Sequence, residues 1–191
     1  MIILLKNIAT VQIGYSFRTG LNTCPEGSIA VIQMKDITEE NQIDRRNLRY
    51  VYLKEVQEVH LLKKDDLIFR TRGQRFNAAI LNEDIGLAVA SAPLVRIRIT
   101  AQNVLPKYIQ WFLDQKIAQA HFSSRIEGTA LKMLNINSLE NLELEIPSLN
   151  KQRMIIEMAQ LMKEEQNLLK LIAQKKKKYF MDLLLQVAKG E

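Results

Sequence analysis

The sequence is poor in the residues that build disulfide frameworks and metal sites. Its 191 residues include a single cysteine, Cys24, and only two histidines, His60 and His121. One cysteine cannot form a disulfide within the chain, and these three residues do not match the spacing of a zinc site. The counts predict a protein without a metal centre that works in a reducing, cytoplasmic compartment.

Long apolar runs are missing as well. No run approaches the roughly 18–20 residues that a membrane-spanning helix needs. The apolar start, Met1–Lys6, has no basic region before it and no small-residue cleavage site after it, so it does not fit a signal peptide. We therefore expect no membrane partner. With 47% apolar and 25% charged residues, the composition is that of an ordinary globular protein.

The motifs of several common enzyme classes are absent. The seven glycines form no Gly-x-Gly cofactor turn and no phosphate-binding loop. No proline has a proline neighbour, which excludes the Asn/Asp-Pro-Pro-aromatic tetrad of adenine methyltransferases, and no Glu-x-Lys tripeptide of a magnesium nuclease occurs. Adjacent carboxylates such as Asp65 and Asp66 would point to opposite faces of a strand. The sequence predicts a binding protein without catalytic residues and without a cofactor.

Residues 1–149 have the pattern of a compact α+β domain. In Leu94–Thr100 apolar and polar residues alternate, which predicts a half-buried strand with Arg96 and Arg98 on its open face. Pro106 opens a predicted helix, in which apolar residues recur at helical spacing as far as Ala120. Three further short apolar runs predict buried strands at Ile29–Met34, Asp66–Arg70 and Leu87–Ala90.

Residues 150–191 predict a second domain that is a single long helix. A stretch of about 38 residues without proline or glycine would be about 57 Å long, and an imperfect heptad pattern runs along it. A domain of 150 residues has a radius of gyration of only about 15 Å and cannot cover such a helix. The apolar stripe that this heptad pattern forms along the helix therefore predicts pairing with a second copy of the chain. The alternative is a break near Lys175–Lys178 that folds the helix back onto its own domain. The predicted dimer contacts are Ile155, Met162, Leu169, Ile172, Phe180 and Leu183.

The chain is basic, with a formal charge of +6 and a pI near 9.4. Residues 1–149 carry 18 basic against 16 acidic side chains, whereas residues 150–191 carry nine against five. This balance favours a polyanionic partner such as nucleic acid. A basic but merely solvated surface would give the same numbers.

One polar segment has the chemistry of DNA reading. Three arginines, Arg70, Arg72 and Arg75, surround Gly73 together with Gln74 and Asn77. Arginine can bridge two acceptors of guanine, and glutamine or asparagine can do the same to adenine. A solvated hairpin tip would have the same composition. Lys175–Lys178 point all around their helix and offer only charge. Further basic candidates for DNA contact are Arg45, Arg46, Arg49, Arg96 and Arg98.

Six motifs follow one another along the chain. They are Leu5-x-x-Ile8-Ala9-x-Val11-x-x-Gly14, Val31-x-Gln33-Met34-x-Asp36-Ile37, Leu62-Lys63-Lys64-Asp65-Asp66-Leu67-Ile68-Phe69 with Arg72-Gly73, Leu105-Pro106-x-Tyr108-Ile109-x-x-Phe112-Leu113, Gly128 with Ile136-x-x-Leu139-x-x-Leu142, and Ile146-Pro147-x-Leu149-x-x-Gln152-x-x-Ile155. With these motifs in this order, the chain resembles one half of the specificity subunit of type I restriction–modification systems. It departs from that family at Asp65, where glycine is common, and at Lys151, where glutamate is common.

The resemblance implies a target recognition domain that reads double-stranded DNA, followed by a helix that acts as a spacer and docks a separate methyltransferase (modification) subunit. It also implies a restriction subunit as a further partner. Family members commonly carry two such repeats, and only one is found here. We therefore expect a homodimer that reads a bipartite palindrome. Two alternatives stay open: a truncated or silent cassette that needs a different half-subunit, and a coiled-coil adaptor without a DNA role.

Overall fold

The computed structural model describes residues 2–17, 20–73, 76–127 and 133–190. The chain divides into two compact units, Met1–Gln152 and Arg153–Glu191. The first unit mixes short strands with short helices, and the second consists of most of one long helix. The predicted α+β class with a long C-terminal helix is confirmed.

The four strands expected from the sequence are all present, at β3, β5, β7 and β8 below. The described strands are β1 (Ile2–Leu4), β2 (Ala9–Ile13), β3 (Ile29–Ile32), β4 (Arg49–Val51), β5 (Leu67–Arg70), β6 (Ala78–Ile80), β7 (Ala88–Ala90), β8 (Leu94–Ile99), β9 (Ile126–Glu127), β10 (Met133–Leu134) and β11 (Glu143–Glu145). The described α-helices are α1 (Pro106–Leu113), α2 (Lys116–Ser123), α3 (Ile136–Glu140) and α4 (Leu149–Lys189).

Two sheets form the centre of the first unit. Four strands lie in the order β2-β8-β5-β6 with every neighbouring pair antiparallel. The other sheet has the order β4-β3-β7, in which β3 is antiparallel to β4 and parallel to β7. Ile68 and Ala79 of the first sheet pack in one cluster with Ala30, Ile32 and Ala88 of the second. One face of the four-stranded sheet is therefore covered by the three-stranded sheet.

Helix α2 packs beside the four-stranded sheet, and α1 contacts its edge strand β6. The rings of Phe69 on β5 and Phe122 on α2 lie 5.4 Å apart, and the side-chain amide of Gln119 donates to the carbonyl oxygen of Phe76 at 2.7 Å. Both Phe69 and Phe122 are fully buried. The four-stranded sheet thus contributes side chains to the core on both of its faces.

The prediction of a single helix after Pro106 is wrong for the second half of that segment. The helix ends at Leu113, because Gln115 takes an extended conformation (φ −75°, ψ 153°) before α2 begins. The break changes the helical phase. Ile117, which we expected in the core stripe, is 68% exposed, while Ala118 and Phe122 are buried.

The exposed face predicted for β8 is also wrong. The register places Arg96 opposite Gln12 on β2 and opposite Ile68 on β5. Cross-strand partners share a face of the sheet, and Ile68 lies in the cluster between the two sheets. The three-stranded sheet covers this face, and Arg96 is only 5% exposed.

Asp65 has a backbone conformation that would also suit the glycine expected here from the resemblance. Its φ is 70°, in the left-handed region that glycine adopts without a steric cost and that aspartate tolerates better than most residues. Its backbone N–H donates to the carbonyl of Leu81 at 2.8 Å, and the next residue begins the approach to β5. The aspartate therefore occupies a left-handed turn position without needing to be glycine.

The two ends of the first unit are paired with each other. β1 is antiparallel to β11, with Ile3 opposite Leu144. The backbone N–H of Leu5 donates to the carbonyl of Leu142 at 2.9 Å, and the ammonium of Lys6 donates to the Oδ1 of Asn141 at 2.8 Å. The first residues of the chain are thus hydrogen-bonded to the segment that directly precedes α4.

Helix α4 runs for 41 residues without interruption, which corresponds to about 62 Å. It passes through Lys175–Lys178 as a regular helix, so the alternative of a break there does not apply. No helix among the described residues is long and apolar enough to cross a membrane. Of the predicted dimer contacts, Ile155 is half-buried, whereas five are 40–58% exposed: Met162, Leu169, Ile172, Phe180 and Leu183.

Gln152 fixes the first turn of α4 to the first unit. Its side chain is fully buried. The Oε1 accepts from the backbone N–H of Leu105 at 2.9 Å, and the Nε2 donates to the carbonyl oxygens of Asn103 and Pro147 at 2.9 and 2.8 Å. A buried polar group is stable only when it is hydrogen-bonded, and this amide has three partners. It therefore joins the loop before α1 to the start of α4.

We expect Gln152→Leu to lower the free energy of unfolding by about 2–4 kcal/mol, because one buried N–H and two carbonyls lose their partner. Gln152→Glu should be no better, since its carboxylate would face two carbonyl oxygens. Urea unfolding of both variants checks this, with the exposed neighbour Lys151→Leu as the control. A loss below 0.5 kcal/mol in Gln152→Leu, roughly the scatter of surface substitutions, would contradict the anchoring role.

Candidate nucleic-acid interface

Arg98 is held by a buried carboxylate. Its Nε and one terminal nitrogen donate to the two oxygens of Asp66, each at 2.7 Å, and the same nitrogen donates to the carbonyl of Leu61 at 2.9 Å. These hydrogen bonds with Asp66 raise the pKa of the Arg98 guanidinium. Asp66 is only 1% exposed and the Arg98 side chain 25%, so the pair lies at the edge of the core and is largely buried.

Arg96 lies two residues away on the same strand face and is also withdrawn from the surface. Burial lowers the pKa of its guanidinium, and the positive charge of Arg98 adds to this effect. Its Nε and Nη1 have no hydrogen-bond partner among the described residues. Neither arginine of β8 presents a free guanidinium for reading DNA in this structure.

Two members of the Arg70–Asn77 segment turn inward. The guanidinium of Arg70 donates to the carbonyl of Met34 at 3.1 Å and to the carbonyl of Ile37, and burial lowers its pKa. Asn77 is buried, and its side-chain amide donates to the Oδ1 of Asn41. Both side chains brace the segment that follows β3, so the prediction that Arg70 and Asn77 are available to read DNA is wrong for this structure.

Arg72 is the member of this segment that the structure places on the surface. It is exposed, and its Nε contacts the sulfur of Met133 at 3.4 Å. Gly73 follows with φ 116°, which allows the chain to turn away at once. Gln74 and Arg75 lie outside the described residues, as does Gly128 of the resemblance.

The second basic cluster, Arg45, Arg46 and Arg49, is exposed throughout. Arg45 forms an ion pair with Glu83 at 2.6 Å, and Arg46 forms a two-point pair with Asp44 at 2.9 and 3.2 Å. Hydrogen bonds from Arg46 lower the pKa of the Asp44 carboxyl. Arg49 opens β4 and has no side-chain partner among the described residues.

Arg45 stands between two adjoining surface clefts, which we call the Arg45 groove. The larger cleft, about 540 Å³, is lined by Asp44, Arg45, Arg46, Leu48, Tyr50 and Ile85. The smaller, about 220 Å³, is lined by Gln42, Ile43, Arg45, Ile80, Leu81, Asn82, Glu83 and Ile85. Arg45 and Ile85 line both. The groove combines guanidinium, amide and phenol groups over an apolar floor, and the carboxylates of Asp44 and Glu83 balance its two arginines.

Sequence reasoning named the arginines of this groove but missed its other polar members. Gln42 and Asn82 come from separate loops, 40 positions apart, and nothing in the local pattern of either connects them. Tyr50 follows Arg49 directly on β4 and is 42% exposed. An arginine followed by an aromatic residue on a short strand was the signal available.

The described residues show no candidate metal centre. No group of three or more histidine, cysteine, aspartate or glutamate side chains comes together among them. On the second unit, Lys175–Lys178 are exposed, as expected for side chains that surround a helix.

The comparison with family models decides the class. Residues 2–179 match the model of the type I restriction modification DNA specificity domain. The chain belongs to this family. Specificity domains recognise DNA and are not catalytic, so residues 2–179 form a DNA-recognition domain and not an enzyme. No curated protein sequence matches the chain.

Solved structures confirm the fold of this specificity domain. The HsdS subunit from Thermoanaerobacter tengcongensis matches with a TM-score of 0.57 and 14% identity over 86% of this chain and 37% of that one. The type I restriction-modification system S subunit from M. genitalium matches with a TM-score of 0.55 and 15% identity, over 93% of this chain and 42% of that one. A third structure, described for complex assembly and conformational transition of the type I R-M system, matches with a TM-score of 0.62 and 13% identity. The match covers 86% of this chain and 38% of that one.

The specificity domain spans about two fifths of the length of these structures, which match from 37% to 42% of their own chains. At 13–15% identity the likeness concerns the fold alone. Which side chains of this domain contact DNA must therefore be argued from its own surface.

Proposed function

We propose that this chain acts as a half-subunit of a type I restriction–modification system. Its first unit reads one half of a bipartite DNA site, and α4 joins it to a second copy. The observation that carries this proposal is the combination of one DNA specificity domain with a 41-residue helix whose apolar side chains are exposed. A helix with such a stripe is stable in water when another helix covers it.

A homodimer has a direct consequence for the DNA sequence. Two identical reading surfaces related by a two-fold axis recognise the same bases in opposite directions. The target is then a palindrome whose halves are separated by an unread spacer. α4 sets the length of that spacer, because it separates the two reading units.

The chemistry is supplied by other subunits in this proposal. A methyltransferase subunit docks on the specificity chain and modifies the DNA in the cytoplasm, and a restriction subunit joins for cleavage. No cofactor binds the specificity chain itself. The first unit selects the site, while α4 contributes to docking.

Sequencing of methylated bases tests the proposal. A strain that expresses this chain with its methyltransferase subunit should methylate a palindromic motif with an unspecified spacer. Two unrelated half-sites would show instead that the natural partner is a different half-subunit. The interruption of the apolar stripe by Glu165 and Lys176 favours this second candidate, because polar seam positions select partners.

If expression of this chain adds no methylation to that of the strain without it, both candidates are contradicted. That result would leave the adaptor without a DNA role as the remaining interpretation. The same strain without the chain is the control.

Arg72 is expected to read a base rather than only hold the backbone. We expect Arg72→Ala to weaken binding to the specific duplex by about 1–3 kcal/mol and to change binding to random DNA much less. A double substitution, Lys175→Gln with Lys177→Gln, should weaken binding to both duplexes alike. It should also reduce the slope of the logarithm of the binding constant against the logarithm of the salt concentration by about one unit per lost phosphate contact. Fluorescence titration at several salt concentrations measures both effects. Equal losses on both duplexes in Arg72→Ala would make Arg72 an electrostatic contact only.

A further inference from the structure

The Arg45 groove holds two side-chain amides that the protein itself does not use. Gln42 and Asn82 are both exposed and line the smaller cleft. Neither side chain forms a hydrogen bond within the described part of the chain. By contrast, the amides of Gln110, Gln119 and Gln152 donate to backbone carbonyls. Two free amides that line the same cleft as Arg45 are a hydrogen-bonding surface exposed to solvent.

The floor of the groove is firmly supported. Leu48 and Ile85 are partly buried and pack against the cluster between the two sheets. Tyr50 forms part of β4, whose register against β3 is fixed by the pairing of Tyr50 with Ala30. The polar groups at the rim are therefore attached to a rigid base, which reduces the entropy cost of binding.

The two arginines of the groove are occupied by exchangeable partners. The Arg45–Glu83 pair has side chains that are 51% and 65% exposed. Exposed ion pairs of this kind are weak, so DNA phosphates can displace the carboxylates. Glu83 and Asp44 then act as internal competitors that reduce binding to DNA of any sequence.

We propose that the Arg45 groove is a base-reading surface of this specificity domain. Gln42 and Asn82 hydrogen-bond to base edges of double-stranded DNA, Arg45 and Arg46 bind the neighbouring phosphates, and Glu83 and Asp44 keep affinity for unrelated DNA low. The amide and guanidinium groups match the donor and acceptor patterns of the major groove. This inference rests on the proposed DNA-specificity function and adds the residues that decide which bases are chosen.

Selection from a pool of duplexes with a randomised 30-base-pair segment tests the reading role. The full chain, Gln42→Ala and Asn82→Ala are each used to enrich the pool, and Gln57→Ala is the matched control because Gln57 is an exposed glutamine that lines a different cleft. We expect the wild type and Gln57→Ala to enrich the same motif. Each groove variant should lose about tenfold or more of the discrimination at one or two base positions, while binding to the unselected pool changes less than about twofold.

The competitor role needs a separate measurement. We expect Glu83→Gln to bind the unselected pool about two- to five-fold more tightly at low salt, as the release of an exposed ion pair predicts. Glu58→Gln is the matched control, because Glu58 forms an exposed pair with Lys63 at 3.0 Å and does not line the groove. An equal effect of the two substitutions would overturn the competitor role.

The outcomes separate the inference from the function on which it rests. If the wild type enriches no motif, the proposed DNA-specificity function fails together with the groove. If the wild type enriches a motif and both groove variants keep every base preference, the function stands and the groove is overturned as a reading surface. Altered preferences in Gln42→Ala and Asn82→Ala, but not in Gln57→Ala, support it.

Discussion

Asp66→Ala is expected to lower the free energy of unfolding of the first unit by about 3–5 kcal/mol, the cost of removing one partner from a buried ion pair. Arg98 would lose both oxygens that it contacts at 2.7 Å. Arg96, whose charge is also stabilised by this carboxylate, would keep a buried guanidinium beside a like charge. The backbone N–H of Lys63, which donates to Asp66 at 2.7 Å, would lose its acceptor as well. Such a loss is a large part of the 5–15 kcal/mol that holds a typical domain together.

Urea unfolding followed by circular dichroism measures this effect. Asp44→Ala is the matched control, because Asp44 also forms a two-point pair with an arginine, but that arginine is 87% exposed. The control should change stability by no more than about 1 kcal/mol. The double variant Asp66→Ala with Arg98→Ala should lose less than the sum of its single variants, since each removes the same interaction. A loss below 1 kcal/mol in Asp66→Ala would show that the pair is not what stabilises the strand face.

Leu169→Glu combined with Ile172→Glu is expected to convert a dimer of roughly twice 22.1 kDa into a monomer of 22.1 kDa. Both side chains are exposed in the single chain, at 58% and 49%. Burying each of these side chains contributes about 1.5–3 kcal/mol to association. In a dimer with a two-fold axis, every substitution occurs twice. Replacing four apolar side chains by charged ones weakens association by at least about a hundredfold, since about 1.4 kcal/mol is a factor of ten.

Light scattering at tens of micromolar distinguishes the two states. Asn167→Glu provides a control that adds a negative charge to the same turn of α4 but on the side away from the stripe. It should remain dimeric. A wild-type chain that is monomeric at this concentration would contradict the homodimer and favour a different partner for α4.

Local patterns predicted the strands well because each lies in a short apolar run. β3, β5, β7 and β8 were all found in this way, and the start of α4 differs by one residue from the predicted Asn150. What the pattern on β8 could not show is the three-stranded sheet that covers Arg96, because two of its strands, β3 and β4, come from distant parts of the chain. Nor could it show that Asp66, 32 positions before Arg98, supplies the carboxylate that makes burial of that arginine possible.

The candidate site was harder to predict for the same reason. The sequence predicts that Arg70 reads DNA, yet its guanidinium donates to carbonyls 33 and 36 positions away. The break between α1 and α2 contains neither glycine nor proline, so the helical pattern gave no warning of it. Gln42 and Asn82 meet at one groove only through the packing of two loops, which no single segment records.

The pairing of β1 with β11 has a consequence for the order in which the protein is made. Ile2–Leu4 finds its only described strand partner in Glu143–Glu145, so the first strand leaves the ribosome long before its partner is synthesised. Closing a loop of this length has an entropy cost that is met only when the later strand arrives. Ile2–Leu4 therefore waits for its strand partner until almost the whole first unit has been synthesised, and that unit completes its fold only as α4 begins to emerge.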